Sequence, residues 1–148
     1  MARHTGELHV GTSGWQYRHW RGTYYPDELT MKQWFEYYAD HFDVVEVNNT
    51  FYHLPDADTF DDWREAAPGG FTYVLKYSRY GSHLKRLKDP AGHVGQFMDR
   101  ARRLRGRLGP VLVQLPPNFH ANVERLEAFL DAAPDDVRWA LEFRHASW

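Results

Sequence analysis

Cysteine is missing altogether from the 148 residues, and with it go disulfide frameworks, thiolate zinc sites, iron–sulfur clusters and cysteine nucleophiles. Long hydrophobic runs are missing too. No stretch approaches the roughly 20 apolar residues that span a bilayer, and Met1 to Gly6 hold no apolar core of signal-peptide length. A cytoplasmic protein with no membrane partner is expected. Internal repeats and low-complexity linkers are also lacking, so residues 1–148 are expected to form a single β/α domain. There is no nucleophile elbow and no helix-turn-helix pattern, and Gly11-Thr12-Ser13-Gly14 lacks the spacing of a P-loop or dinucleotide fingerprint. Nine histidines are scattered from His4 to His145 without zinc-site spacing. His145 and Glu142 would supply two metal ligands, but nothing supplies a third, so no metal site and no particular cofactor is assigned.

What is present is a foldable core and an uneven charge. With 43% hydrophobic and 16% aromatic residues, a chain of this size can bury roughly 68–70% of its unfolded surface without a metal or disulfide staple. The formal net charge of -2 hides an asymmetry: residues 1–75 hold 5 lysines and arginines against 12 acids, whereas 76–148 hold 13 against 8. The basic excess is concentrated in 76–107. Such a segment suits phosphate or nucleic acid, or else a solvated helix face, since bases late in a helix complement its dipole.

Hydrophobic periodicity alternates between strand and helix. Strands are expected at Leu8 to Thr12, Val44 to Asn48, Phe71 to Ser78, Val111 to Leu115 and Arg138 to Phe143. The first helix opens with Thr30 and Gln33 in capping-box spacing and aligns Met31, Trp34, Phe35, Tyr38 and Phe42. The second covers Asp58 to Ala67 and buries Phe60 and Trp63. The third starts with Asp89 as cap and Pro90 at the first helical position, aligns Val94, Phe97, Met98, Ala101 and Leu104, and ends before Gly109-Pro110. The fourth covers Val123 to Ala132 after Asn122 and uses Val123, Leu126, Phe129 and Leu130. This alternation implies an α/β fold with a parallel sheet. It fits either a doubly wound sheet or an incomplete β/α barrel with about five of its strands, a full barrel needing about 250 residues.

The period of two inside each strand puts one set of polar residues on a common face near the C-terminal ends, where parallel α/β folds bind ligands. These are Glu46 and Asn48, Lys76 and Ser78, Gln114, and Glu142 with Arg144. Charges on a strand covered on both faces are costly unless paired. Two uses follow: a structural network with Lys76 between Glu46 and Glu142, or a site in which Glu46 and Glu142 are general acid/base candidates and Lys76 a proton donor or electrostatic clamp. Arg144 and His145 are candidates for binding an anion or relaying a proton. The loop Ser13 to Pro26, containing Trp15, reads as a stacking platform for a sugar or base, or equally as an aromatic plug in the barrel mouth. Asn48 to Tyr52 offers amides and a phenol at Tyr52, or turn chemistry. The loop Ser78 to Lys88, with His83 and Arg86, reads as a phosphate-binding segment.

Several blocks of the chain resemble a known family. They are Val10 to Trp15, Trp20 to Pro26, Val45 to Tyr52, Lys76 to Tyr80, His83 to Leu87, Gly109-Pro110 to Pro117 and Glu142 to Trp148. Together, in order, they resemble the domain of unknown function 72, or YecE-like, family. The resemblance implies a TIM-barrel-like fold and brings no reaction or catalytic set with it. It also implies a longer domain, of which this chain is expected to be the N-terminal part.

Three functional expectations follow. The first is a TIM-barrel-type acid/base enzyme for a small anionic or phosphorylated, sugar-like substrate. The second is a nucleic-acid-binding module using the basic 76–107 segment. The third is an inactive truncated fragment whose polar network is structural. An incomplete barrel leaves its outer strands open, so self-association through exposed edges is expected as well.

Overall fold

The computed structural model describes residues 6–148. Met1–Thr5, which carry most of the leading stretch read for a signal and also His4, lie outside the described residues. Five strands, β1 (Thr12–Ser13), β2 (Val44–Val47), β3 (Thr72–Lys76), β4 (Leu108–Gln114) and β5 (Trp139–Glu142), form one sheet in the order β1-β2-β3-β4-β5. Every neighbouring pair is parallel. Sequential order with helical crossovers is the pattern of successive β/α barrel units. The sheet does not close, so β1 and β5 are free edges.

Helices α1 (Trp34–His41), α2 (Asn49–Tyr52), α3 (Ala57–Ala66), α4 (Pro90–Ala101) and α5 (Val123–Ala132) join the strands. The period of two sorts the strands as expected. Val45, Val47, Tyr73, Leu75, Val111 and Val113 are fully buried against helix residues that include Trp34, Tyr38, Phe60, Phe97 and Phe129. The alternate residues Val44, Glu46, Thr72, Val74, Lys76, Leu112 and Gln114 are only partly covered. The main core therefore lies between sheet and helices, and the face that would line a barrel is open.

Local signals account for the helix starts. Thr30 N–H donates to Gln33 Oε1 at 2.9 Å in the expected capping box, which opens a 3-10 turn at Met31–Gln33 ahead of α1. Asn122 accepts from Arg125 N–H at 3.0 Å and caps α5, whose bounds match the expectation. Asp56 caps α3 by accepting from Thr59 N–H at 3.0 Å, so that helix starts at Ala57 rather than Asp58.

Four expectations are corrected. The first strand is only two residues long, and Leu8 and Val10 are exposed, because an edge strand has a single neighbour to pair with. Asp89 does not cap α4: it adopts φ 48° and ψ 55° and its side chain makes no cap hydrogen bond, since capping needs extended backbone to aim the carboxylate at the first amides. Gly109-Pro110 do not precede the fourth strand but lie inside β4. There Tyr73 pairs with Leu108 and Leu75 with Val111, so β4 carries one extra residue. That bulge tolerates a proline, and Gly109 lies against Tyr73 O closely enough to leave no room for a side chain. Met31, Val123 and Leu130, read as core-facing, are exposed, because they lie on the solvent margin of helices covering only one side of the sheet.

Candidate functional site

The strand ends bring Glu46, Lys76, Gln114 and Glu142 to the same open face, with Gln114 in register with Glu142. Just beyond them, α2 and a π-turn at Tyr80–Leu84 form the rim. At the β1–β2 end, Ser13 is in register with Glu46. Its hydroxyl donates to Glu46 Oε1 at 2.8 Å and accepts from Asn48 Nδ2 at 2.7 Å. The Glu46 carboxylate is thereby oriented by a two-step chain of hydrogen bonds. At the β5 end, Arg144 Nε donates to Glu142 Oε1 at 2.5 Å.

Lys76 stands between these carboxylates in sheet order but pairs with neither. Among the described residues it makes no ion pair. Its Nζ instead lies 4.6 Å from the centre of the Phe51 ring, an arrangement that holds an ammonium without neutralising it. Thr50 supports the corner from behind: its hydroxyl donates to Lys76 O at 2.7 Å and lies 3.1 Å from Val47 O. The structural network with Lys76 bridging Glu46 and Glu142 is thus not formed.

His83 sits on the same rim, edge-on to Phe51 at 5.0 Å, with Nδ1 2.9 Å from Ser82 Oγ. Burial first, then the fields of Arg79, Lys76 and Arg144, hold His83 below the ordinary histidine value. Three cationic side chains, from two loops and a strand end, thus disfavour protonation of this imidazole.

Other expected site residues take different places. Trp15 is 5% exposed and packs edge-on to Phe35 at 5.4 Å and Trp63 at 6.3 Å, so its ring belongs to the core and not to a stacking platform. In the same loop Tyr25 is fully buried, donates to Trp15 O at 2.6 Å and stacks on Trp34. Tyr52 is 77% exposed on the rim. Ser78 Oγ accepts from Gly81 N–H at 3.1 Å and shapes the π-turn. Arg86 adopts φ 48° and offers its carbonyl to Arg125. His145 stacks on His120 at 3.9 Å and bonds Ser147. The basic 76–107 segment is divided: Arg102 pairs with Asp136 through both terminal nitrogens at 2.7 and 2.8 Å, and Arg103 pairs with Asp61. Those two arginines precede β4 and serve the helix layer, whereas Lys76 ends β3 and Arg79 and His83 follow it. No group of three or more His, Asp or Glu among the described residues assembles into a metal cluster, and no helix is long and apolar enough to cross a membrane.

The family described as "Protein of unknown function DUF72" has a sequence model that matches residues 9–148. The chain belongs to this family. It is 34% identical over 111 residues to the UPF0759 protein YecE of Escherichia coli (strain K12), covering 74% of this chain and 41% of that one. It is 25% identical over 150 residues to the UPF0759 protein YunF of Bacillus subtilis (strain 168), covering 95% and 52%. The crystal structure of a DUF72 family protein from Thermotoga maritima MSB8 superposes with a TM-score of 0.83 at 33% identity, over 95% of this chain and 56% of that one. Another, from Enterococcus faecalis V583, superposes with a TM-score of 0.65 at 24% identity, over 75% and 47%, and supports the fold alone. The chain spans about half the length of the DUF72 relatives it matches.

Two contributors to this candidate site were missed by sequence reasoning, Ser13 and Phe51. Ser13 was legible as the residue in step with Glu46 once β1 and β2 are set side by side. Phe51 carried no signal, because its meeting with Lys76 depends on the turn of α2.

Proposed function

We propose that this chain carries the anion-binding and proton-transfer part of a β/α-barrel enzyme site for a small phosphorylated, sugar-like substrate. The observation that supports this reading is the Lys76 ammonium, unpaired among the described residues and held over the Phe51 ring that also meets the half-buried His83, with Arg79 and Arg144 adding to the positive field at that imidazole. Cations clustered without bound carboxylates of their own repel one another, and a phosphate group placed among them relieves that repulsion. Lys76 and Arg79 lack ion-pair partners among the described residues, while Arg144 shares Glu142. Anion binding reverses the field at His83, so the imidazole takes up a proton as the phosphate arrives and becomes a proton donor to the ligand. Glu46, oriented by Ser13 and Asn48 on the strand next to that of Lys76, serves in this reading as the general base.

Titration of the 148-residue chain with inorganic phosphate and with ribose 5-phosphate tests this reading. The expected result is a saturable rise in melting temperature and an upward move of the His83 pKa by NMR. Lys76→Ala should abolish both, and Arg144→Ala, which removes a second cation and leaves the Glu142 carboxylate unpaired, should weaken them. No saturable response to either compound overturns the proposal.

A further inference from the structure

A second feature adjoins this site on the helix side. Between α2, the π-turn and the first half of α4 lies a cleft of about 200 Å³. Phe51, Tyr80, His93 and Phe97 wall it, with Ser78 and Gln96 as polar groups. Phe51 is a shared partition: one side meets Lys76 and His83, and the same residue lines the cleft. Ser78, two residues beyond Lys76, also lines it. A ligand with its anionic group among Lys76, Arg79 and His83 therefore has this cleft one side chain away.

The walls are held in place. The Tyr77 hydroxyl bonds His93 Nδ1, and His93 Nε2 lies 2.9 Å from Lys88 O. Burial raises the Tyr77 pKa far above its ordinary value, so the phenol keeps its proton and donates it. His93 is thereby fixed as the Nε2–H tautomer that donates to Lys88 O. A side-chain carbon at Gly81 would lie 2.6 Å from the Tyr77 ring and 2.7 Å from His93 Nδ1, so the turn is pressed onto this pair. Gln96 offers an amide donor and acceptor, neither engaged by a protein partner among the described residues. Tyr80, half exposed at the rim, presents a ring face with Lys85 Nζ 5.7 Å from its centre. Aromatic walls with one amide able to read a ring edge suit a heteroaromatic base.

We propose that the cleft receives the base of a nucleoside monophosphate whose phosphate occupies the cationic site. The proposal rests on the anion-binding reading above and narrows its substrate class from sugar phosphates to nucleotides.

Isothermal titration of the 148-residue chain with AMP, ribose 5-phosphate and inorganic phosphate tests it. AMP is expected to bind at least about tenfold more tightly than ribose 5-phosphate. Tyr80→Ala and Gln96→Ala should each remove most of that advantage while leaving ribose 5-phosphate affinity within about twofold. Both residues are exposed, so the variants should melt like the parent. Equal affinity for AMP and ribose 5-phosphate overturns the base site and leaves the anion site standing. An AMP advantage that survives both substitutions also overturns it, because the base then sits elsewhere. No binding of any of the three overturns both proposals.

Discussion

At the scale of single residues, the best-defined polar contact in the interior is Tyr77 with His93. Tyr77 is fully buried and His93 nearly so, and each polar atom of the pair has a partner. Tyr77→Phe removes the donor and leaves His93 Nδ1 buried and unpaired. A loss of about 1–3 kcal/mol in urea unfolding is expected. Gly81→Ala forces a methyl group into the same pair and should cost a similar ~1–3 kcal/mol as overpacking. Unchanged unfolding midpoints in both variants would show that the pair is not tightly held. Neither position was marked by the sequence. The alternation along β3 puts Tyr77, one residue past its end, on the helix side, where it is buried, but its hydroxyl partner sits sixteen residues on in α4. By contrast Glu46, Lys76, Gln114 and Glu142 were legible one by one, because a strand puts alternate residues on one face whatever surrounds it.

At the scale of elements, α3 is tied to the segment before β4 by Asp61. Its carboxylate accepts from Arg64 at 2.6 Å and from Arg103. Hydrogen bonding to Arg103 first, then the fields of Arg103 and Arg64, hold the Asp61 carboxyl below its ordinary value. A carboxyl held low in the folded chain contributes stability that is fully present above the unfolded value and lost as pH falls through the depressed folded one. Melting temperature should therefore fall more steeply in acid, below about pH 4, for the parent than for Asp61→Asn. Parallel pH profiles for the two proteins would discount the link. Asp136 and Arg102 are both about half exposed, and Arg102→Ala should change stability by less than about 1 kcal/mol. Helix positions were largely legible, and α5 was legible to the residue, since Asn122 and the 3.6-residue stripe are local signals. Strand limits were less so, as Gly109-Pro110 shows: a glycine-proline step reads as a break until a bulge between β3 and β4 accommodates it.

At the scale of the whole molecule, an all-parallel sheet normally has both faces covered, and here one face and two edges are open. Val74, Leu112 and Ala140 lie on that face beside the charged row. Self-association is expected: light scattering should find species heavier than the 17.5 kDa chain. Ala140→Lys and Val74→Lys, which place charge on the open face, should shift the population toward monomer. A parent that is a cooperatively melting 17.5 kDa monomer would contradict this expectation. The sequence by itself determined the order of strands and helices, the sorting of each strand into two faces and the family to which the chain belongs, because these follow from short-range periodicity and from blocks read in order. The tertiary structure alone decided that Trp15 is core, that Lys76 turns to Phe51 rather than to Glu46 or Glu142, and that His83 packs edge-on to that same ring. Those outcomes depend on how loops from different β/α units fold over the sheet, bringing together side chains as far apart in the chain as Trp15 and Trp63 or Phe51 and His83, and no local pattern encodes such a meeting.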